Sequence, residues 1–139
     1  MDSLKIAVVG SRRLQLTAGE LGRYLPPRTT EIVTGGAKGI DTSAMLYAEK
    51  RGLKLTVFAP DYSRYGRRAP LIRNEEIVNY ADMVFAFWDG VSTGTRHVMG
   101  LCKKHGVILL AYRYDVEQGM FSLDLSMYKF PARLYSIVR

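Results

Sequence analysis

The sequence predicts an α/β protein with a doubly wound, mainly parallel sheet of about five strands, flanked by helices and followed by a short C-terminal extension. Three observations lead to this prediction. Short apolar runs alternate with helical patterns along the chain. The runs are continuously apolar, which is typical of parallel strands that are covered on both faces. Glycine-rich turns follow several of the runs, as expected where a strand leads into a helix.

Each predicted element has a local signal. Strands are predicted at residues 5–9, 31–34, 53–59, 83–88 and 107–112, and helices at residues 17–25, 40–51, 70–80 and 93–104. Thr17 is a candidate N-cap, Pro70 suits a first helical turn, and Gly52 and Gly106 are natural C-terminal stops. Residues 60–69 are predicted as a loop that is rich in tyrosine, arginine and glycine.

The rhythm of strands and helices breaks from Tyr114 onward. Residues 134–138 are a candidate edge strand. Phe121, Tyr128 and Phe130 are candidates for packing at a subunit interface, and we expect a homodimer or a higher oligomer.

Composition limits the class of protein. The chain has 139 residues, a formal net charge of +7 and ordinary hydrophobic content, which predicts one domain over residues 1–139. No apolar run approaches the roughly 20 residues that span a bilayer, so no membrane contact is expected. The single Cys102 excludes an internal disulfide and favours a cytoplasmic location. With only His97 and His105 besides, no metal site is predicted.

The unusual residues gather where strands end. In open α/β sheets, ligands bind beyond the carboxyl ends of the strands, where the strand order reverses. Three strand-to-helix turns of small and polar residues meet this description: Gly10, Ser11 and Arg12; Gly35, Gly36 and Gly39; and Asp89, Gly90, Ser92, Gly94 and Thr95. They fit neither the Walker A spacing nor Gly-x-Gly-x-x-Gly, so an ordinary P-loop enzyme or NAD-dependent dehydrogenase is not expected.

These turns, in this order and spacing, resemble the SLOG superfamily. That group unites the DNA-processing protein DprA (also called SMF), the LOG phosphoribohydrolases and small bacterial proteins of the YspA type. The resemblance covers residues 5 to about 111, and the Gly-Gly-Ala-x-Gly-Ile-Asp turn is most similar to the DprA and YspA branches. It implies a Rossmann-like fold that holds a nucleotide or a nucleotide-derived, ADP-ribose-like molecule.

The resemblance also implies site residues. The predicted nucleotide-binding residues are Gly10, Ser11, Arg12, Gly35, Gly36, Ala37, Gly39, Asp41, Arg73, Asn74, Ser92, Gly94 and Thr95. Arg73 and Asp89 are the predicted catalytic residues, and no cofactor is predicted. In LOG enzymes a glutamate follows the last turn, whereas this chain continues with arginine, histidine and valine.

Several of these residues have a purely structural alternative. Asp41 suits a helix N-cap as well as a ligand contact. Asp89 suits a turn before glycine as well as a general base or a ribose acceptor. Arg73 suits a bidentate clamp on a phosphate.

These residues and the family resemblance together suggest three candidate functions. The first is a domain that binds a nucleotide-like ligand, with a sensor role. The second is hydrolysis of the N-glycosidic bond in a nucleoside monophosphate. The third is binding of single-stranded nucleic acid, which basic residues interleaved with tyrosines over residues 62–68 would suit.

Overall fold

A computed structural model describes residues 3–127 and contains a sheet of six strands with helices on both faces. The strands are β1 (Lys5–Gly10), β2 (Glu31–Thr34), β3 (Lys54–Val57), β4 (Met83–Trp88), β5 (Ile108–Asp115) and β6 (Met120–Leu123). The helices are α1 (Ala18–Gly22), α2 (Ile40–Arg51), α3 (Tyr62–Tyr65), α4 (Ala69–Tyr80) and α5 (Thr93–His105). This arrangement confirms the predicted fold class.

The strand order is β3-β2-β1-β4-β5-β6. The first five strands are parallel, and β6 pairs antiparallel with β5. The chain moves outward from β1 to β3, then returns through α4 to place β4 on the other side of β1. The order therefore reverses between β1 and β4, and a crevice opens beyond their carboxyl ends.

Alternate residues of the central strands pack into two separate apolar clusters. Ile6 and Val8 of β1 point toward the α1 and α2 face, whereas Ala7 and Val9 point toward the α4 and α5 face. All four are buried. The continuously apolar sequence of β1 thus reflects burial on both faces, as predicted. The edge strand β3 is different, because three of its four residues are exposed.

Two stretches differ from the sequence-based prediction. Residues 60–69 are not a plain loop, because Asp61 caps the four-residue α3 by accepting a bond from Arg64 N at 3.1 Å. A 3₁₀ turn at Gly66–Arg68 then leads directly into α4. The first helix is shorter than predicted: α1 begins after the Thr17 cap but ends at Gly22.

The strand β6 was missed by the sequence prediction of about five strands. It forms a hairpin with β5, whose turn is held by Asp115 Oδ1 accepting from Glu117 N and Gln118 N. Three of its four residues are apolar, but the run is short and its side chains are mostly exposed, so it lacks the long buried pattern of the parallel strands. The candidate strand at residues 134–138 and the predicted interface residues Tyr128 and Phe130 lie outside the described residues. Association of copies remains a prediction.

Candidate functional site

A cavity of about 540 Å³ lies at the carboxyl edge of the sheet, where the strand order reverses between β1 and β4. It brings together most of the predicted site residues, namely Gly10, Arg12, Ala37, Asp41, Arg73, Asn74, Asp89, Ser92, Gly94 and Thr95. Ser11, Gly35, Gly36 and Gly39 are predicted site residues that do not line it. The cavity also has walls that the sequence prediction did not include: Val9, Arg13, Pro70, Leu71, Ile77, Thr93, His97 and Val98.

The glycine turn after β2 is organised by a carboxylate of the protein itself. Asp41, in the first turn of α2, is 5% exposed, and its Oδ2 accepts from Gly35 N at 3.2 Å and from Ala37 N at 3.1 Å. Burial raises the pKa of Asp41, while the Ala37 amide and the Arg73 guanidinium oppose that rise. Two of the amides predicted to cradle a ligand phosphate therefore already donate to an internal anion.

Two glycines of this turn are required by close contacts. A Cβ on Gly35 would lie 2.9 Å from Arg73 Cζ and 3.0 Å from Asp41 Oδ2. Gly39 has a φ of +77°, and a Cβ there would lie 2.5 Å from Ser11 O. A larger residue at Gly39 would push the β1 and β2 turns apart, because the obstacle is backbone, and one at Gly35 would displace the hydrogen-bonded side chains of Arg73 and Asp41.

Arg73 and Asn74 at the second turn of α4 connect three elements. Arg73 Nη1 donates to Gly35 O at 2.7 Å, and Arg73 Nε donates to Asn74 Oδ1 at 2.9 Å. Asn74 Nδ2 lies 3.0 Å from His97 Nδ1 on α5. A continuous hydrogen-bonded row thus runs from the β2 turn through α4 to α5 along the cavity wall. Asn74 is buried, while Arg73 and His97 are half-buried.

Asp89 anchors the turn between β4 and α5. Its Oδ1 accepts from Val91 N at 2.9 Å and from Ser92 N at 2.8 Å. Ser92 Oγ lies 3.2 Å from Asp89 Oδ2 and 2.9 Å from Ser11 Oγ, which also accepts from Asp89 N. Burial works to raise the pKa of Asp89, but these donors outweigh it and lower the pKa. The carboxylate is therefore ionised and engaged with its own turn.

The amino-terminal end of α5 opens onto the cavity. Ser92 is the N-cap residue, but its side chain makes no capping hydrogen bond. Thr93, Gly94 and Thr95 of the first turn all line the cavity, and a Cβ on Gly94 would have no neighbour within 4 Å. The first N–H groups of a helix have no partner within it, so this turn presents donors and a positive dipole end to the cavity.

Exposed arginines lie in the cavity lining and on the segment that precedes α4. Arg12 and Arg13 are exposed and line the cavity. Arg64, Arg67 and Arg68 are exposed on the short segment that leads into the cavity residues of α4.

The described residues also bear on the expectations for metal binding, thiol chemistry and membrane insertion. Within residues 3–127, no group of three or more His, Cys, Asp or Glu side chains could hold a metal ion. Cys102 is buried, and burial raises the pKa of its thiol to about 12. No helix among these residues is both long and apolar enough to cross a bilayer.

The most important omission from the sequence-based site is His97. It was considered only as a metal ligand, and no spacing in the sequence links it to Asn74, which lies 23 residues earlier. The apolar residues Pro70, Leu71 and Ile77 were also missed. The helical pattern of α4, combined with the predicted position of Arg73, could have placed Ile77 one turn beyond it on the same face.

Comparison with known proteins adds a family. A model of the YspA, cpYpsA-related SLOG family matches residues 5–65. The "Gene 61 protein" of Mycobacterium phage D29 is 35% identical over 101 residues, which cover 68% of this chain and 79% of that protein.

Two solved structures share the fold. DNA processing protein A from Helicobacter pylori, whose structure is described for its single-stranded DNA binding mode, matches with a TM-score of 0.61 and 20% identity. DprA from Streptococcus pneumoniae matches with a TM-score of 0.65 and 19% identity. The matches cover 81% and 84% of this chain, but only 66% and 53% of those two chains. From the family model and the phage relative together, we conclude that the chain belongs to the YspA, cpYpsA-related SLOG family.

Proposed function

We propose that this chain binds a nucleotide in the cavity between β1 and β4, with a phosphate group at the amino-terminal end of α5. The observation that carries the proposal is the open first turn of this helix. Ser92 gives it no side-chain cap, and the space beside Gly94 is empty. Unpaired N–H groups and the positive end of the helix dipole attract an anion to such a position.

The charges around the cavity support an anionic ligand. Arg12 and Arg13 line it and are free to turn toward a phosphate, since both are exposed. The two acidic side chains that line it, Asp41 and Asp89, already accept hydrogen bonds from backbone amides. Their negative charge is therefore partly compensated, and they oppose an incoming phosphate less than free carboxylates would.

The geometry favours a ligand with one phosphate group. A volume of about 540 Å³ lies within the range of about 300–1,000 Å³ that is typical of small-molecule sites. A diphosphate such as ADP-ribose would gain from a second anion position, and the first turn of α2 is a candidate because Asp41 of that turn lines the same cavity. Asp41 occupies that turn with its own carboxylate. We therefore expect a 5′-mononucleotide to bind more tightly than ADP-ribose.

Calorimetric titration with the 5′-mononucleotides, ADP-ribose and inorganic phosphate tests this proposal. Arg12→Ala should weaken nucleotide binding, whereas Arg28→Ala should not, because Arg28 is also exposed but does not line the cavity. Failure of the unaltered protein to bind any of these compounds at millimolar concentration would refute the proposal. Equal losses in the two variants would show that net charge, and not the cavity, attracts the ligand.

Single-stranded DNA is a second candidate ligand. Tyr62 is 59% exposed, and it shares the segment before α4 with the exposed Arg64, Arg67 and Arg68. Arginines that follow a phosphate backbone and tyrosines that stack on bases are typical of single-strand binding. The H. pylori neighbour, which shares the fold, is described for such binding.

Salt dependence separates the two candidates. Binding of an oligonucleotide across the basic segment should weaken steeply as salt concentration rises, because each phosphate contact releases a counterion. Binding of a mononucleotide in the cavity should change much less. An oligonucleotide that binds no more tightly than its mononucleotide would contradict the DNA candidate.

Hydrolysis of the N-glycosidic bond is not proposed. A carboxylate that stabilises positive charge on the sugar must face the ligand with free oxygen lone pairs. Asp89 instead directs its oxygens to Val91 N, Ser92 N and Ser92 Oγ. The catalytic assignment of Arg73 and Asp89 remains a prediction from the family resemblance.

A further inference from the structure

The hydrogen-bonded row between α4 and α5 determines which nitrogen of His97 carries a proton. An arginine side chain only donates hydrogen bonds, so Asn74 must turn its oxygen toward Arg73 Nε, at 2.9 Å. The amide nitrogen of Asn74 then faces His97 Nδ1, at 3.0 Å. Because that amide nitrogen is a donor, Nδ1 is the acceptor and the neutral ring carries its proton on Nε2.

The Arg73 side chain is itself held in place by a second hydrogen bond. Its Nη1 donates to the Gly35 carbonyl at 2.7 Å, which fixes the guanidinium against the β2 turn. Rotating the Asn74 amide by half a turn would bring two donors together at Arg73, and a bond to His97 would then require the Nδ1–H tautomer. The tautomer of His97 is thus selected by a backbone carbonyl that lies two side chains away.

The Nε2–H group donates to no acceptor among residues 3–127. The imidazole ring is half-buried and lines the cavity. The wall beside His97 is apolar, formed by Pro70, Leu71, Ile77 and Val98. Arg12 and Arg13 line the same cavity and supply positive charge. A ligand whose phosphate meets these arginines and the first turn of α5 would leave its uncharged part for the apolar residues and His97.

We infer that His97 Nε2 donates a hydrogen bond to the nucleoside part of the bound nucleotide, and that Arg73 and Asn74 are positioning residues that keep the proton on that nitrogen. This inference rests on the proposed function and adds the orientation of the ligand: phosphate toward α5's first turn, nucleoside toward the α4–α5 wall. Arg73 then contributes through Asn74 and His97, and not as a direct phosphate clamp.

The tautomer can be tested without any ligand. Nitrogen chemical shifts from long-range ¹H–¹⁵N correlation spectra distinguish a ring protonated at Nε2 from one protonated at Nδ1. We expect the Nε2–H form of His97 in the unaltered protein at pH 8. Asn74→Asp keeps an acceptor for Arg73 but removes the donor to His97, so it should move the proton to Nδ1. An Nδ1–H signal in the unaltered protein would overturn the inference.

The contact with the ligand needs a second measurement. His97→Phe keeps a ring but removes both nitrogens, and it should weaken binding of the tightest 5′-mononucleotide by about tenfold. Inorganic phosphate should bind this variant as well as it binds the unaltered protein. His97→Gln, whose amide can present a donor near the position of Nε2, should recover most of the lost affinity. Amide spectra of both variants check that the fold is retained.

The outcomes separate the inference from the proposed function. If the unaltered protein binds neither the mononucleotides nor phosphate, the proposed function fails, and the ligand role of His97 fails with it. If the nucleotides bind but His97→Phe leaves their affinity unchanged, the inference alone fails. An equal loss for phosphate and nucleotide also contradicts it, because His97 would then act at the phosphate end or through the fold.

Discussion

Gly94 offers a sharp test of where the ligand lies, because the fold itself gives no reason for a glycine there. It lies in the first turn of α5 with an ordinary negative-φ helical backbone. A Cβ at this position would meet no atom within 4 Å. Since Gly94 lines the cavity, the empty space is the place that a ligand would occupy. Gly94→Ala should therefore preserve the stability of the fold but weaken ligand binding.

The size of each effect can be worked out separately. Glycine inside a helix costs about 0.5–1 kcal/mol relative to alanine, so the free energy of unfolding should stay unchanged or rise by up to about 1 kcal/mol. An extra methyl forced into a close contact typically costs about 1–3 kcal/mol. At about 1.4 kcal/mol for each factor of ten, nucleotide affinity should fall by a factor of about 5 to 150.

Gly100 supplies the matched control. It lies on the same helix, is exposed, and has no atom within 4 Å of its would-be Cβ, but it does not line the cavity. Urea unfolding and calorimetric titration of Gly94→Ala and Gly100→Ala should show stability preserved in both variants and binding weakened only in the first. Undiminished nucleotide binding by Gly94→Ala would refute the placement of the ligand at α5.

Three further predictions concern the framework of the site. Asp41→Ala should lower the free energy of unfolding by about 2–4 kcal/mol in urea titrations, because it leaves two amides of the β2 turn without an acceptor. Asp41→Asn should lower it less, and equal losses in the two variants would contradict this account. Ser11→Ala should lower the free energy of unfolding by about 1–3 kcal/mol in the same assay, because Asp89 N loses its acceptor. It should also weaken nucleotide binding, and an unchanged affinity would show that the β4–α5 turn keeps its conformation without the Ser11 hydroxyl. Glu31 is buried, which works to raise its pKa, but the hydroxyls of Thr56 and Tyr80 outweigh that effect and lower the pKa. The stabilising contribution of Glu31 is therefore present above pH 4.5, its ordinary pKa, and is lost as the pH falls through the lowered pKa of the folded state. Glu31→Gln should make stability fall less steeply in acid, and an equally steep fall would contradict this role of Glu31.

Most of the fold could be predicted from the sequence, because its strongest elements have the strongest local signals. The strand β4 was predicted with the bounds that the structure has, and α2 was predicted from residue 40 to its Gly52 stop. The misses are elements whose stability is not local. The four residues of α3 depend on the Asp61 cap, and β6 depends on pairing with β5. Neither contact leaves a periodic pattern in the sequence.

The position of the three turns could be predicted for a related reason. The rule that ligands bind where the strand order reverses led us to expect the β1, β2 and β4 turns at one edge of the sheet, and residues of all three line the cavity there; their role in binding stays a prediction. What the sequence could not reveal was which polar groups are already satisfied by one another. Asp41 lies six residues after Gly35 along the chain, yet its carboxylate accepts from that residue's amide. A sequence shows which hydrogen-bond donors and acceptors are present, but only the three-dimensional structure shows which of them bond to each other.

This pairing changes what the glycine turn after β2 contributes. Two of its amides donate to Asp41, and its Gly35 carbonyl accepts from Arg73, so its main polar contacts lie within the protein. Under our inference, that carbonyl governs the proton position on His97, another residue of the cavity lining, through Arg73 and Asn74. A substitution at Gly35 would place a Cβ against the Arg73 guanidinium and disturb this row at its origin. In the proposed binding mode, the turn that most resembles a phosphate cradle therefore acts on the ligand only indirectly, and the open first turn of α5 meets the phosphate.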